Sequence, residues 1–114
     1  MVWTSQNYHD LHDPFMGPAD IDAFNGNVFN ALKPGGIYLV IDHVAAPGSG
    51  LRDTNTLHRI DPAAIIREVG AAGFKLVAQS DVLRNSSDTH ALRVFDPQIR
   101  GQTDQIVLKF KKPK

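Results

Sequence analysis

The segment of this sequence with the clearest catalytic potential is His9-Asp10-Leu11-His12-Asp13. An imidazole beside carboxylates can serve as a general base that the acid orients, and it can then remove a proton from a substrate oxygen or nitrogen. Histidine and aspartate also bind zinc, manganese or iron, but no further ligands stand at a spacing typical of a metal site. The alternative is a solvated polar loop whose acids cap the turn and the following helix. We expect His9 to lie in such a solvated loop in either case.

A second polar pair, Asp42 and His43, directly follows an apolar run from Ile37 to Ile41. A run of this kind is typical of a strand that is buried on both faces of a sheet. The carboxyl end of such a strand is where open α/β sheets bind ligands. Asp and His also end strands because they tolerate turns, so both interpretations stay open.

Four other charged residues are weaker candidates, and they are His58, Arg59, His90 and Arg93. Because the first three lie near loop ends, we expect ordinary exposed side chains there. Arg93 stands between apolar residues and has the charge to bind an anion, although a surface salt bridge is the more ordinary role.

Two helices separate the strands that carry these residues. Apolar residues recur at helical spacing from Ala19 to Leu32, and Gly26 within this stretch indicates a close packing point. Pro34-Gly35-Gly36 then predicts a tight turn with positive φ, followed by a strand over 36–44. Asp61-Pro62 is a strong helix start, and Gly73 ends that helix.

Three further strands are predicted at Val2–Ser5, Phe74–Leu83 and Gln105–Lys111. The sequence therefore predicts an α/β fold with a mixed sheet of about four strands and two main helices. The first three strands should be parallel, and the last two should form an antiparallel pair. One edge and part of one face of the sheet should stay uncovered. The long polar stretch 84–103 is typical of a functional cover or a mobile insert.

Composition narrows the classes of function. The 114 residues form one domain, in which 12 basic and 12 acidic residues cancel, so the sequence predicts no broad nucleic-acid surface. The absence of cysteine excludes disulfides and thiolate chemistry within these residues. No apolar run approaches the ~20 residues of a membrane span, and no signal peptide is evident. We expect a cytoplasmic protein that binds neither nucleic acid nor membranes.

Three segments of the sequence resemble class I S-adenosylmethionine-dependent methyltransferases. Leu32-Lys33-Pro34-Gly35-Gly36 is similar to the LKPGG turn before the fifth strand of that family. Ala71-Ala72-Gly73-Phe74 is similar to its AAGF segment before the sixth strand. Trp3 to Asp13 lies where the fourth strand of the family ends in a loop beside the methyl-transfer site. The order of elements matches the carboxyl-terminal half of the family's Rossmann-like fold.

The resemblance implies methyl transfer from S-adenosylmethionine to a small-molecule acceptor. The implied catalytic residues are His9, Asp10 and Asp13. The implied cofactor contacts are Asn7 and Tyr8, and the implied substrate contacts are Asp42, His43 and His12. The family's glycine-rich cofactor loop and ribose-binding acid have no counterpart in these 114 residues. A chain that begins within the fold should therefore bind S-adenosylmethionine weakly or not at all when alone, and its own methyl-transfer activity stays open.

Two alternatives from other classes stay open. The first is a non-catalytic module that covers its exposed sheet edge and face by self-association or by binding a partner. We expect a homodimer in which two copies of the strand Val2–Ser5 pair about a two-fold axis. The second and weaker alternative is a metal-dependent hydrolase that uses the histidine and acid segment.

Overall fold

The computed structural model describes residues 1–6, 8–9, 21–54, 57–94 and 96–113. Its regular elements, in chain order, are β1 (Val2–Ser5), α1 (Ile21–Ala31), β2 (Ile37–His43), α2 (Pro62–Ala71), β3 (Lys75–Ser80) and β4 (Gln105–Lys111). Each predicted helix and strand is present, with ends that differ from the prediction by a few residues. None of the helices within the described ranges is both long and apolar enough to cross a bilayer.

The four strands form one mixed sheet in the order β1-β2-β4-β3. β1 is parallel to β2, and β4 is antiparallel to both of its neighbours. β2 and β3 therefore point the same way, although β4 lies between them. The predicted α/β fold with a mixed four-stranded sheet and two helices is confirmed.

Both helices pack against the same face of the sheet. On β2 the side chains of Tyr38, Val40 and Asp42 are buried, whereas those between them are only half-buried. The buried apolar side chains of β2 and β4 share one core with those of α1 and α2. Burial of β2 on both faces, which its apolar run predicted, is therefore wrong for the described residues. The other face lacks a described helix to cover it.

β1 forms one edge of this sheet. The backbone N–H of Gln6 donates to the carbonyl oxygen of Ile41, and strand alternation then turns the amides of Trp3 and Ser5 away from β2. Trp3 is 68% exposed. Among the described residues no strand pairs with the outer side of β1, as the sequence predicted, and pairing of two copies along this edge stays a prediction.

The turn between α1 and β2 depends on glycine. Gly35 has a φ of 83°, and its N–H donates to the carbonyl oxygen of Lys112 over 2.8 Å. A Cβ on Gly36 would lie 2.9 Å from the carbonyl oxygen of Lys33. The predicted tight turn is thus confirmed. The close packing point predicted at Gly26 is wrong for the described residues, because a Cβ there would meet none of their atoms within 4 Å.

The segment after β2 is held by the start of α2. Asp61 caps this helix, and its carboxylate accepts hydrogen bonds from the N–H groups of Ala63 (3.0 Å) and Gly48 (2.9 Å). A parallel bridge between Val44 and Ile60 extends the contact. The carboxyl end of β2 is therefore fixed on the side of α2.

Two glycine substitutions should have opposite effects on stability. Gly35→Val places a β-branched residue at positive φ and should lower the free energy of unfolding by ~1–3 kcal/mol. Gly26→Ala replaces an unhindered helical glycine and should raise it by ~1 kcal/mol. Urea unfolding of the two variants and the wild-type chain measures both changes. Equal midpoints for Gly35→Val and wild type would contradict the turn assignment.

Candidate functional site

The carboxyl end of β2 holds a fully buried carboxylate, that of Asp42. Its Oδ2 accepts a hydrogen bond from the backbone N–H of His9 over 2.7 Å. Its Oδ1 lies 2.8 Å from His9 Nδ1 and 2.8 Å from the backbone nitrogen of His43. Asp42 therefore joins the short turn that follows β1 to the end of β2.

His9 is only 3% exposed, so the expectation that it lies in a solvated loop is wrong. Its ring centroid lies 6.1 Å from that of His43 and 5.7 Å from that of His58. Asp42 contacts His9 Nδ1 and can orient its ring. The same role for Asp10 or Asp13, which the sequence analysis proposed, stays a prediction. The predicted site residues that lie outside the described ranges are Asn7, Asp10, His12 and Asp13.

His43 is the last residue of β2 and is half-buried. Its Nδ1 lies 2.7 Å from Thr103 Oγ1, so the ring is held in one orientation. Burial lowers the pKa of His43 from its ordinary value, because the imidazolium is poorly solvated there. The carboxylate of Asp42 opposes this decrease in the pKa, and the nearby His9 adds to it. His43 is therefore a neutral imidazole near pH 7.

A cleft of about 230 Å³ opens beside His43. Its lining residues are Gln6, His43, Val94, Arg100, Gly101, Thr103 and Gln105. Most of the polar stretch between β3 and β4, which the sequence predicted to be a functional cover or a mobile insert, is described, and it forms one wall of this cleft. The predicted substrate residue His43 thus lies at an accessible site, while its neighbour Asp42 lies beneath it.

Tyr8, the predicted cofactor contact, lies in the core with no exposed surface. Its hydroxyl accepts a hydrogen bond from Asn25 Nδ2 (3.0 Å) and donates one to Glu68 Oε1 (3.2 Å). Burial raises the pKa of Tyr8, so the phenol stays protonated and can donate. The described contacts give Tyr8 a structural role, joining the turn after β1 to α1 and α2, and a contact with a cofactor stays a prediction.

Arg59 is fully buried, so the expectation of an ordinary exposed side chain is wrong. Its Nη1 and Nη2 donate to the two carboxylate oxygens of Asp88 over 2.6 and 3.0 Å. It also donates to the carbonyl oxygens of Val44 and Leu92. Burial alone would raise the pKa of Asp88, but the hydrogen bonds from Arg59 and from two backbone N–H groups outweigh it and lower that pKa.

A second ion-pair cluster surrounds Asp104, immediately before β4. Arg84 donates to both of its carboxylate oxygens (2.6 and 3.0 Å), and His90 Nε2 lies 2.8 Å from Oδ2. The backbone N–H of Asp104 donates to Asp88 Oδ2 over 2.7 Å and so connects this cluster to the ion pair of Arg59 and Asp88. His90 is therefore not the ordinary exposed histidine that we expected. Charged groups, together with the buried side chains of Val94 and Ile99, hold the stretch between β3 and β4 on the body of the protein.

Within the described ranges, no group of three or more His, Asp or Glu side chains has a geometry that would hold a metal ion. The ring of His9 meets the rings of His43 and His58 edge to face. Asp10, His12 and Asp13 of the histidine and acid segment lie outside the described ranges, so the metal-dependent alternative stays a prediction.

No family model matches the sequence, and no curated protein matches it. Among solved structures, the [4+2]-cyclase SpnF superposes with a TM-score of 0.63 at 19% sequence identity. The match covers 97% of this chain and 48% of SpnF, so the chain spans about half the length of this neighbour. SpnF has a methyltransferase-like fold, and the likeness supports such a fold for this chain without bearing on methyl transfer.

The lowered pKa of His43 should make stability depend on pH. An unfolded chain protonates this residue near pH 6.5, whereas the folded chain does so only at lower pH. The free energy of unfolding contributed by His43 should therefore be constant above about pH 6.5 and fall as the pH decreases below it. Urea unfolding of wild type and His43→Gln from about pH 8 to 5 measures the difference. Parallel curves for the two proteins would contradict the assigned environment of His43.

Proposed function

We propose that this chain supplies the acceptor-binding and proton-accepting part of a methyltransferase-like enzyme. The observation that carries the proposal is the cleft beside His43, a neutral imidazole held by Thr103 above the buried pair of His9 and Asp42. A small acceptor with a hydroxyl or amine would enter this cleft. The whole enzyme would transfer a methyl group to it from S-adenosylmethionine.

His43 would act as the general base. Its Nδ1 is engaged by Thr103, so Nε2 is the nitrogen left to accept a proton from the acceptor. The imidazolium formed would be stabilised by the carboxylate of Asp42, whose Oδ1 lies 2.8 Å from the backbone nitrogen of His43. His9 would position that carboxylate from the other side. A base with a lowered pKa is available in its neutral form near pH 7.

The described cleft, at about 230 Å³, is smaller than the ~300–1,000 Å³ of a typical ligand pocket, which suits a small acceptor better than a nucleoside joined to an amino acid. The residues described here therefore account for the acceptor and its proton. The proposal assigns no residue of this chain to the methyl donor.

Nuclear magnetic resonance of the 114-residue chain tests the proposal directly. Titration with 4-hydroxybenzamide should shift the imidazole nitrogen signals of His43, because its hydroxyl can share a proton with Nε2. The matched ether 4-methoxybenzamide lacks that proton and should leave them unchanged. His58→Gln, which substitutes a histidine outside the cleft, should respond like wild type. In His43→Gln the two probes should bind with equal affinity, as measured from the backbone amide signals of the cleft residues.

Calorimetry with S-adenosylhomocysteine completes the test. We expect no binding tighter than about 100 μM by this chain alone, which corresponds to roughly −5.5 kcal/mol. Micromolar binding would show that these residues also hold the cofactor.

In the magnetic resonance experiment, identical responses of His43 to the hydroxyl probe and to its ether would overturn the assignment of His43 as the base.

A further inference from the structure

The cleft beside His43 contains a cation without an ionic partner among the described residues. Arg100 lines the cleft, is exposed and forms no salt bridge there. By contrast, Arg52, Arg59 and Arg84 each contact an aspartate carboxylate within 3.0 Å. Arg100 is therefore available to bind a ligand, whereas the guanidinium groups of these three arginines are already engaged by aspartates of the same chain.

The backbone fixes where Arg100 lies. The N–H groups of Ile99 and Arg100 both donate to the carbonyl oxygen of Asp96, over 2.9 and 2.8 Å, and form a tight turn. The side chain of Ile99 is buried and anchors this turn. Only the long side chain of Arg100 has to be ordered when an anion binds, which limits the entropic cost of binding.

The remaining lining of the cleft suits an anionic ligand. No aspartate or glutamate is among its described lining residues, so a bound anion meets no direct repulsion there. The carboxylate of Asp42 lies beneath the cleft and is engaged by His9 and by the backbone of His43. Gln6 and Gln105 add amide groups, and Gln6 Nε2 donates to Gln105 Oε1 over 3.2 Å. Guanidinium and amide donors together are typical of carboxylate recognition.

We infer that the cleft binds a small acceptor that carries a carboxylate as well as the hydroxyl or amine that loses its proton. Arg100 would hold the carboxylate, and His43 would face the reacting group. The volume of about 230 Å³ limits this acceptor to the size of a single ring with its substituents. The inference rests on the proposed role of His43, and it makes Arg100 the residue that determines specificity.

The sequence analysis had singled out a different arginine for anion binding. Arg93 is exposed and does not line the cleft, and it forms no salt bridge within the described part of the chain. Arg93 therefore provides a matched control, since Arg93→Gln and Arg100→Gln make the same change of charge on the same stretch of chain.

The experiment is a titration, followed by nuclear magnetic resonance, of the 114-residue chain with 4-hydroxybenzoate and with the neutral 4-hydroxybenzamide. Wild type should bind the anion about tenfold more tightly than the amide, as one charge-assisted contact of ~1.4 kcal/mol predicts. Arg100→Gln should remove this preference and leave the affinity for the amide unchanged. Arg93→Gln should keep the preference, and added salt should weaken it.

The outcomes separate this inference from the proposed function. Equal affinities for the two probes in wild type, or equal effects of Arg93→Gln and Arg100→Gln, would overturn the inference even where the hydroxyl still shifts the signals of His43. A preference for the anion that depends on Arg100, without any response of His43 to the hydroxyl, would support an anion site and overturn the role of His43.

Discussion

A buried carboxylate sets the arrangement of the site. Moving Asp42 out of water is costly unless its oxygens find donors, and here they receive them from His9 and from the backbone of His43. These bonds bring the turn after β1 against the end of β2 and place two imidazoles within 6.1 Å of each other. Parallel pairing of β1 and β2 thus brings their carboxyl ends together. The buried carboxylate of Asp42 then requires hydrogen-bond donors, which His9 and the backbone of His43 supply.

A second buried charge organises the opposite side of the cleft. Arg59 binds Asp88 with two hydrogen bonds and also caps the carbonyl oxygens of Val44 and Leu92. Because separating this pair would leave a buried charge uncompensated, Asp88 and the stretch between β3 and β4 that contains it stay against Arg59. In this position Thr103, from the same stretch, contacts His43. A segment with few apolar residues can therefore serve as a fixed wall of the cleft.

Much of the fold could be predicted from local patterns. Apolar periodicity predicted α1, Asp61-Pro62 predicted the start of α2, and proline and glycine predicted the turn at Gly35. The position of β4 between β2 and β3 could not be predicted, because strand order depends on packing between distant segments. The close packing point predicted at Gly26 failed for a related reason, since a glycine in a helical pattern does not show whether another segment packs against it.

The site was only partly predictable for the same reason. His43 was found because it ends a strong strand pattern. A partner of His9 comes from β2, 33 residues away, and no local pattern indicates that contact. No local pattern marks Arg59 as buried, because its partner Asp88 lies 29 residues away. Arg93 attracted notice through its apolar neighbours, whereas Arg100 lines the cleft only because of the turn that begins at Asp96.

The most direct test of this account is the protonation of His9 in the wild-type chain near pH 7. If the buried carboxylate of Asp42 organises the site, it must receive a proton-bearing nitrogen, so Nδ1 of His9 must carry the hydrogen. Long-range ¹H–¹⁵N correlation spectra of the imidazole rings distinguish the two neutral tautomers. The account predicts that His9 is protonated at Nδ1. A neutral His9 with a bare Nδ1 and its only hydrogen on Nε2 would contradict it.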